Sequence, residues 1–165
     1  MALITYIGKG IDLIGRSASW LNVVLVLLIC LDVTLRYFFS FSKNWILELE
    51  WHIFAVIFLL GASYALQQDK HVRVDIFYQK MSVKGRAWVD LLGTLVFLFP
   101  WCYVVIKTSV GFAYTSWLIG EGSPNPGGLP ARFLIRSVVP LSFVLLALQG
   151  ISIAKQQISI IYSQD

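Results

Sequence analysis

The sequence predicts an all-α integral membrane protein: four transmembrane helices, preceded by an amphipathic helix in the membrane interface, with both termini cytoplasmic. Three observations predict it. The first is composition. Of 165 residues, 58% are hydrophobic and only 13% charged, and the mean hydropathy is +0.75. Soluble domains carry about a quarter charged residues, so a soluble core this apolar would lack the polar surface to cover it. The second is the presence of four long apolar runs. About 20 apolar residues cross a hydrocarbon core of about 30 Å at about 1.5 Å per residue. The third is that lysine and arginine collect in alternate loops, the pattern that sets membrane orientation. At this length one domain, residues 1–165, is expected.

Residues 1–18 form the interfacial element. Leu3, Ile4, Ile7, Ile11 and Ile14 recur at helical spacing, Lys9, Asp12 and Arg16 fill the other face, and Leu13 departs from the pattern. No A-x-A-like site follows the first long apolar run, so this stretch is expected to stay as an anchor. The spans follow at about 20–39, 45–66, 88–117 and 133–153. In lipid every backbone N–H and C=O must be paired internally, so each span is a helix. The third is longer than a bilayer needs, and Pro100 near its middle removes one backbone hydrogen bond, which predicts a kink. Pro140 does the same early in the fourth.

The amino-terminal arm carries Lys9 and Arg16. The loop after the second span carries Lys70, Arg73, Lys80, Lys84 and Arg86, and the tail carries Lys155; across the membrane lie only Lys43 and Arg132, with Arg36 and Arg136 near span ends. The termini and middle loop are therefore expected in the cytoplasm, with loops 40–44 and 118–132 outside. Trp20 and Trp88 then fall at the inner boundary and Trp45 and Trp117 at the outer. Within the middle loop, DKHVRVD (69–75) marks where the second helix leaves the membrane. Its Val72, Val74 and Ile76 alternate with polar residues, which lets the chain lie along the interface.

Several function classes are excluded. There is no P-loop, Rossmann fingerprint, nucleophile elbow or HExxH. Cys30 and Cys102 sit inside apolar runs and suit neither a disulfide framework nor a metal site. The net charge of +4 mostly flanks apolar runs, a membrane pattern rather than a nucleic-acid one. His52 and His71 lie at opposite ends of one helix, about 28 Å apart, so they cannot share a haem. No cofactor is expected on this chain.

The polar residues inside the spans are the candidate sites. Asp32 and Arg36 are four apart and share a helix face, and an ionisable group in a span costs roughly 2.5–3.5 kcal/mol on insertion scales. Glu48, near the same depth on the next helix, is expected to join them in a network fastening helix one to helix two. Lys107 has few partners at its depth and is expected to meet outer headgroups, an anionic lipid or a second protein. The loop GEGSPNPGGLPAR (120–132) reads as a rigidified turn.

Arg36-Tyr37 at the end of helix one, Trp45 with Glu48 opening helix two, Gly61-Ala62 followed by His71-Val72-Arg73-Val74-Asp75, Ser123-Pro124 with Leu129-Pro130, and Pro140 together resemble one family. It is the small membrane subunit of tripartite ATP-independent periplasmic (TRAP) transporters, of the DctQ/SiaQ type, over about residues 20–150. The resemblance implies a multi-pass subunit of the bacterial inner membrane that pairs with a large membrane (M) subunit. The M subunit would carry sodium and substrate, and a periplasmic substrate-binding (P) protein would deliver a carboxylate such as a C4-dicarboxylate or sialic acid. It also implies no catalysis. His71, Arg73 and Asp75 would form the family's cytoplasmic signature loop. Close helix contacts in membranes favour small residues, so Gly61, Ala62, Ala65 and Gly93, with Arg36, Trp45 and Lys107, are expected to meet the large subunit or lipid. Lys43, Glu121, Ser123, Asn125 and Arg132 are expected to help dock the binding protein. Two other readings are a membrane anchor of a redox or maturation enzyme, which the histidine spacing disfavours, and a stand-alone transporter or channel, which needs a polar lining.

Overall fold

The computed structural model describes residues 2–68, 78 and 80–163. Every element among them is helical. They are α1 (Ala2–Phe39), α2 (Asn44–Gln67), α3 (Val83–Gly93), a π turn (Thr94–Leu98), α4 (Phe99–Leu118) and α5 (Phe133–Ser163). α3, the π turn and α4 run on as one rod, so four helices are long and apolar enough to cross a membrane.

The element boundaries differ from expectation in three places, each with a local cause. α1 does not break near residue 18: 38 residues form one helix, about 57 Å long at about 1.5 Å per residue. Two of the three glycines that would weaken it, Gly8 and Gly15, are held by α2. A Cβ on Gly15 would come within 2.5 Å of Tyr64 Cβ, and Gln67 Nε2 donates to Gly8 O at 2.9 Å. Ile11 and Ala18, one turn to either side of Gly15, are buried. The disturbance expected at Pro100 falls one turn earlier, as the π turn, where the Phe99 N–H reaches back to Thr94 O. A proline ring clashes with the carbonyl four residues before it and cannot donate; widening the preceding turn accommodates both, as π bulges do. Gly150 of α5 packs against that turn, and a Cβ there would lie 2.8 Å from Leu98 Cδ2. Finally, α5 continues ten residues past 153, because Ala154 and Ile161 join Ala87 and Leu91 of α3 in a small core.

α5 is the hub, packing against α4, α2, α3 and more lightly α1, while α1 leans chiefly on α2. The arrangement is therefore open rather than a closed bundle. Beside a few aliphatic side chains (Ile11, Ile46, Leu66, Leu91 and Ile161), much of what it buries is small or polar: Ser63, Ala113, Ser116, Ser142, Gln149 and Ala154. What it exposes is large and apolar, including Leu27, Phe58, Phe97 and Trp101. Water would penalise this inverted distribution and lipid does not, since lipid tails remove the hydrophobic drive to bury such side chains while small residues let helices approach closely.

Candidate functional site

The most highly organised polar site lies at one end of the helices, between α2 and the α4–α5 loop. α4 stops in a Schellman motif. Gly120, at φ 59°, donates to Trp117 O at 3.1 Å, and the Glu121 N–H reaches Ser116 O at 3.0 Å. The loop then folds on itself through Arg132 N to Glu121 O (2.9 Å), Ser123 N to Leu129 O (3.0 Å) and Gly128 N to Asn125 O (3.0 Å). The positive φ values at Gly127 and Ala131 supply its reversals.

Into this loop α2 inserts the Glu48 carboxylate, which is 2% exposed. Oε1 accepts from the Ser123 hydroxyl and from Asn125 Nδ2 at 2.9 Å; Oε2 accepts from Leu129 N at 2.7 Å. Arg132 lies within electrostatic range of Glu48, and its guanidinium sits 5.9 Å from the Trp51 ring centroid. Asn44 Nδ2 adds a bond to Pro126 O at 2.9 Å. A second clasp joins Glu121 to Arg136 of α5 through two hydrogen bonds, one of 2.5 Å, with the guanidinium 3.8 Å from the Phe112 ring centroid. A carboxylate held by these three donors ties the α4–α5 loop to α2.

The network expected around Arg36 has a different membership. Arg36 donates to Asp32, and Asp32 is 3% exposed. Glu48 is not with them. The acidic residue within electrostatic range of both is Glu50. The reason is helical: two residues turn about 200° at 3.6 residues per turn, so Glu48 and Glu50 point to opposite sides, one to the loop and one to α1. Glu50 Oε1 is enclosed and has no hydrogen-bond partner among the described residues. The spacing of the two glutamates carries this information: Glu50, not the expected Glu48, lies beside Arg36.

Residues expected to face a docking protein also turn inward. Ser123 and Asn125 spend their side chains on Glu48, and Glu121 spends its own on Arg136. Lys43 stays exposed, 5.4 Å from the Phe41 ring centroid, and Trp45 is 43% exposed. Gly61 and Gly93 have open space where a Cβ would go, with Ala62 and Ala65 half-buried beside Gly61 on α2. Lys107 is exposed on α4. The expected signature residues His71, Arg73 and Asp75 lie outside the described residues. His52 Nδ1 sits 2.5 Å from Glu48 O, one turn earlier on its own helix.

A model of the DctQ component of tripartite ATP-independent periplasmic transporters matches residues 25–159. The chain belongs to the DctQ family. That stretch includes most of the residues of the four spans and holds Glu48 and the whole α4–α5 loop. A curated relative, a TRAP transporter small permease protein of Haemophilus influenzae, is 28% identical over 108 residues, or 66% of this chain. The match spans 65% of that relative's own length. The DctQ component is part of a transporter, not an enzyme.

Proposed function

We propose that this DctQ-family chain is the static small membrane subunit of a TRAP transporter in the bacterial inner membrane, with both termini cytoplasmic. In this reading it scaffolds a large M subunit that moves a carboxylate solute with sodium, and it helps seat the periplasmic P protein. The supporting observation is how little of its apolar surface the chain covers by itself. In the most apolar stretch of each long helix, between 11% and 22% of the residues are buried. Four helices that pack on one another so sparingly suit a subunit that completes a larger membrane body.

The α4–α5 loop then faces the periplasm as a preformed platform. Its Ser123, Asn125 and Glu121 side chains hold it rigid from within, while Lys43 and the exposed Pro124, Pro126 and Gly127 form the surface the P protein meets. Rigidity lowers the ordering cost of a brief contact, which suits a delivery protein that must leave again. The amino-terminal part of α1 would lie toward the inner headgroups, and lipids would cover what the M subunit leaves free. The sodium and substrate sites belong to the M subunit.

Co-elution tests the reading. Expressed with the M subunit of the same transporter and extracted in mild detergent, the two chains should elute together. Elution of this chain alone overturns the scaffold role.

A further inference from the structure

α4 carries two polar groups where lipid would penalise both. From Trp88 to Trp117 the α3–α4 rod advances 29 residues, about 43 Å at about 1.5 Å per residue. That matches the roughly 40–45 Å of a bilayer with its headgroups, and tryptophans sit at headgroup level. Tyr103, fourteen residues before Trp117, therefore lies about 21 Å below that level, near the bilayer middle. Lys107 lies about 15 Å below it, well beyond the reach of a lysine side chain to the phosphates.

Both side chains point away from the other helices. At about 100° per residue, Tyr103, Gly111 and Tyr114 fall within about 40° of Lys107. The face α4 buries, with Cys102, Ala113 and Ser116, is on the opposite side. Tyr103 is 65% exposed and Tyr114 57%. Lys107 Nζ sits 5.9 Å from the Tyr103 ring centroid. Among the described residues Lys107 forms no ion pair, and the Tyr103 hydroxyl forms no hydrogen bond. A lone charge inside a span is costly, and such groups face protein partners or water rather than lipid. Gly111 leaves open space beside the lysine, room for close helix approach.

We infer that the Lys107 face of α4, with Tyr103, Gly111 and Tyr114, docks a membrane helix of a different polypeptide that presents a carboxylate beside Lys107 and Tyr103. Charge selects the ligand: an ammonium and a phenol are both donors, and one carboxylate satisfies both. A second copy of this chain does not fit, because its described intramembrane carboxylates are already engaged or enclosed. Asp32 holds Arg36, Glu48 holds the loop, Asp90 accepts from Tyr78 at 2.7 Å, and Glu50 is half-buried against α1. The inference rests on the proposed transporter reading, which makes the M subunit that polypeptide, and it chooses α4 over the Gly61 patch of α2 as the contact.

Two measurements on the full chain co-expressed with the M subunit test it. A photoreactive benzoylphenylalanine at Tyr103, irradiated in native membranes, should form an adduct whose M-subunit peptide carries an Asp or Glu within one turn of the attachment. An adduct with a second copy of this chain, or with lipid alone, overturns the inference. In detergent, Lys107→Glu should lower the co-eluting M subunit about tenfold or more, the ratio that about 1.4 kcal/mol of lost affinity gives. Lys107→Arg should keep the complex. Lys107→Met alone should be at least as heat-stable as wild type, since it removes an unpaired charge; a less stable Lys107→Met chain, or equal co-elution of Lys107→Glu and wild type, overturns the inference. If the wild-type chain itself fails to co-elute, the transporter reading falls, and the Tyr103 adduct alone then decides the face.

Discussion

Replacing Gly128 with alanine adds a single methyl group to the most crowded point of the Glu48 cradle. The new Cβ would lie 2.5 Å from Ser123 Cβ and 2.8 Å from Glu48 Oε1, where carbon contacts normally settle near 3.5–4.0 Å. Neither neighbour can step aside. The Ser123 and Leu129 backbones are tied together at 3.0 Å, and Glu48 is anchored to Leu129 N. An extra methyl in a packed site typically costs about 1–3 kcal/mol. For a chain of this size each kcal/mol moves the melting temperature by about 2–4 °C, so Gly128→Ala should lower Tm by about 2–12 °C. The assay is thermal unfolding of the purified chain in mild detergent, followed by tryptophan fluorescence, to which Trp45 and Trp51 near the cradle contribute. A double-mutant cycle localises the cause: in a Ser123→Gly background, which removes the Cβ it strikes, the alanine should cost measurably less. An unchanged Tm for Gly128→Ala, or an undiminished penalty in the Ser123→Gly background, would refute the packed cradle.

Gly15→Ala should destabilise the α1–α2 pair by about 1–3 kcal/mol, and the added change Tyr64→Ala should relieve part of it; full tolerance of Gly15→Ala would mean α1 does not run along α2 at that point. Glu50→Gln should leave thermal stability equal or higher, because it removes a second negative charge beside Asp32 without losing a hydrogen bond, whereas Arg36→Leu should lower stability by leaving two acidic groups facing each other without their cation. Equal loss from both would return the pairing to Glu48. Cysteines placed at Lys80 and at Gly122 report sidedness: in intact spheroplasts a membrane-impermeant thiol reagent should label residue 122 and spare residue 80, and the reverse pattern would invert the topology.

The helices were legible because a spanning segment announces itself by length and apolarity, and those signals are local. The four spans emerged within a turn or two wherever packing agreed with hydropathy. They ran long where a packed face continued past the apolar run, as Ala154 and Ile161 do in α5. Pro100 signalled a disturbance, but backbone geometry placed the π turn before it. The Glu48 cradle was only half legible. Ser123, Asn125 and Glu48 were each singled out, yet the bond joining them spans more than seventy residues, and no periodicity encodes so distant a pair. The nearest clue was Glu48 and Glu50 being two apart, which obliges them to serve different neighbours. Gly15 went unremarked because a glycine in an apolar helix looks like a weak point until Tyr64 occupies the space it leaves.

The scaffold role proposed above requires that this chain conduct nothing by itself yet be needed by the subunit that does. Reconstitution tests it most directly. Liposomes containing this chain alone, the M subunit alone or both would be given the P protein loaded with the radiolabelled solute it retains, under an inward sodium gradient. Sodium-dependent uptake is expected with both membrane chains, and little with either alone. Uptake by this chain alone, or full-rate uptake by the M subunit without it, would contradict the account.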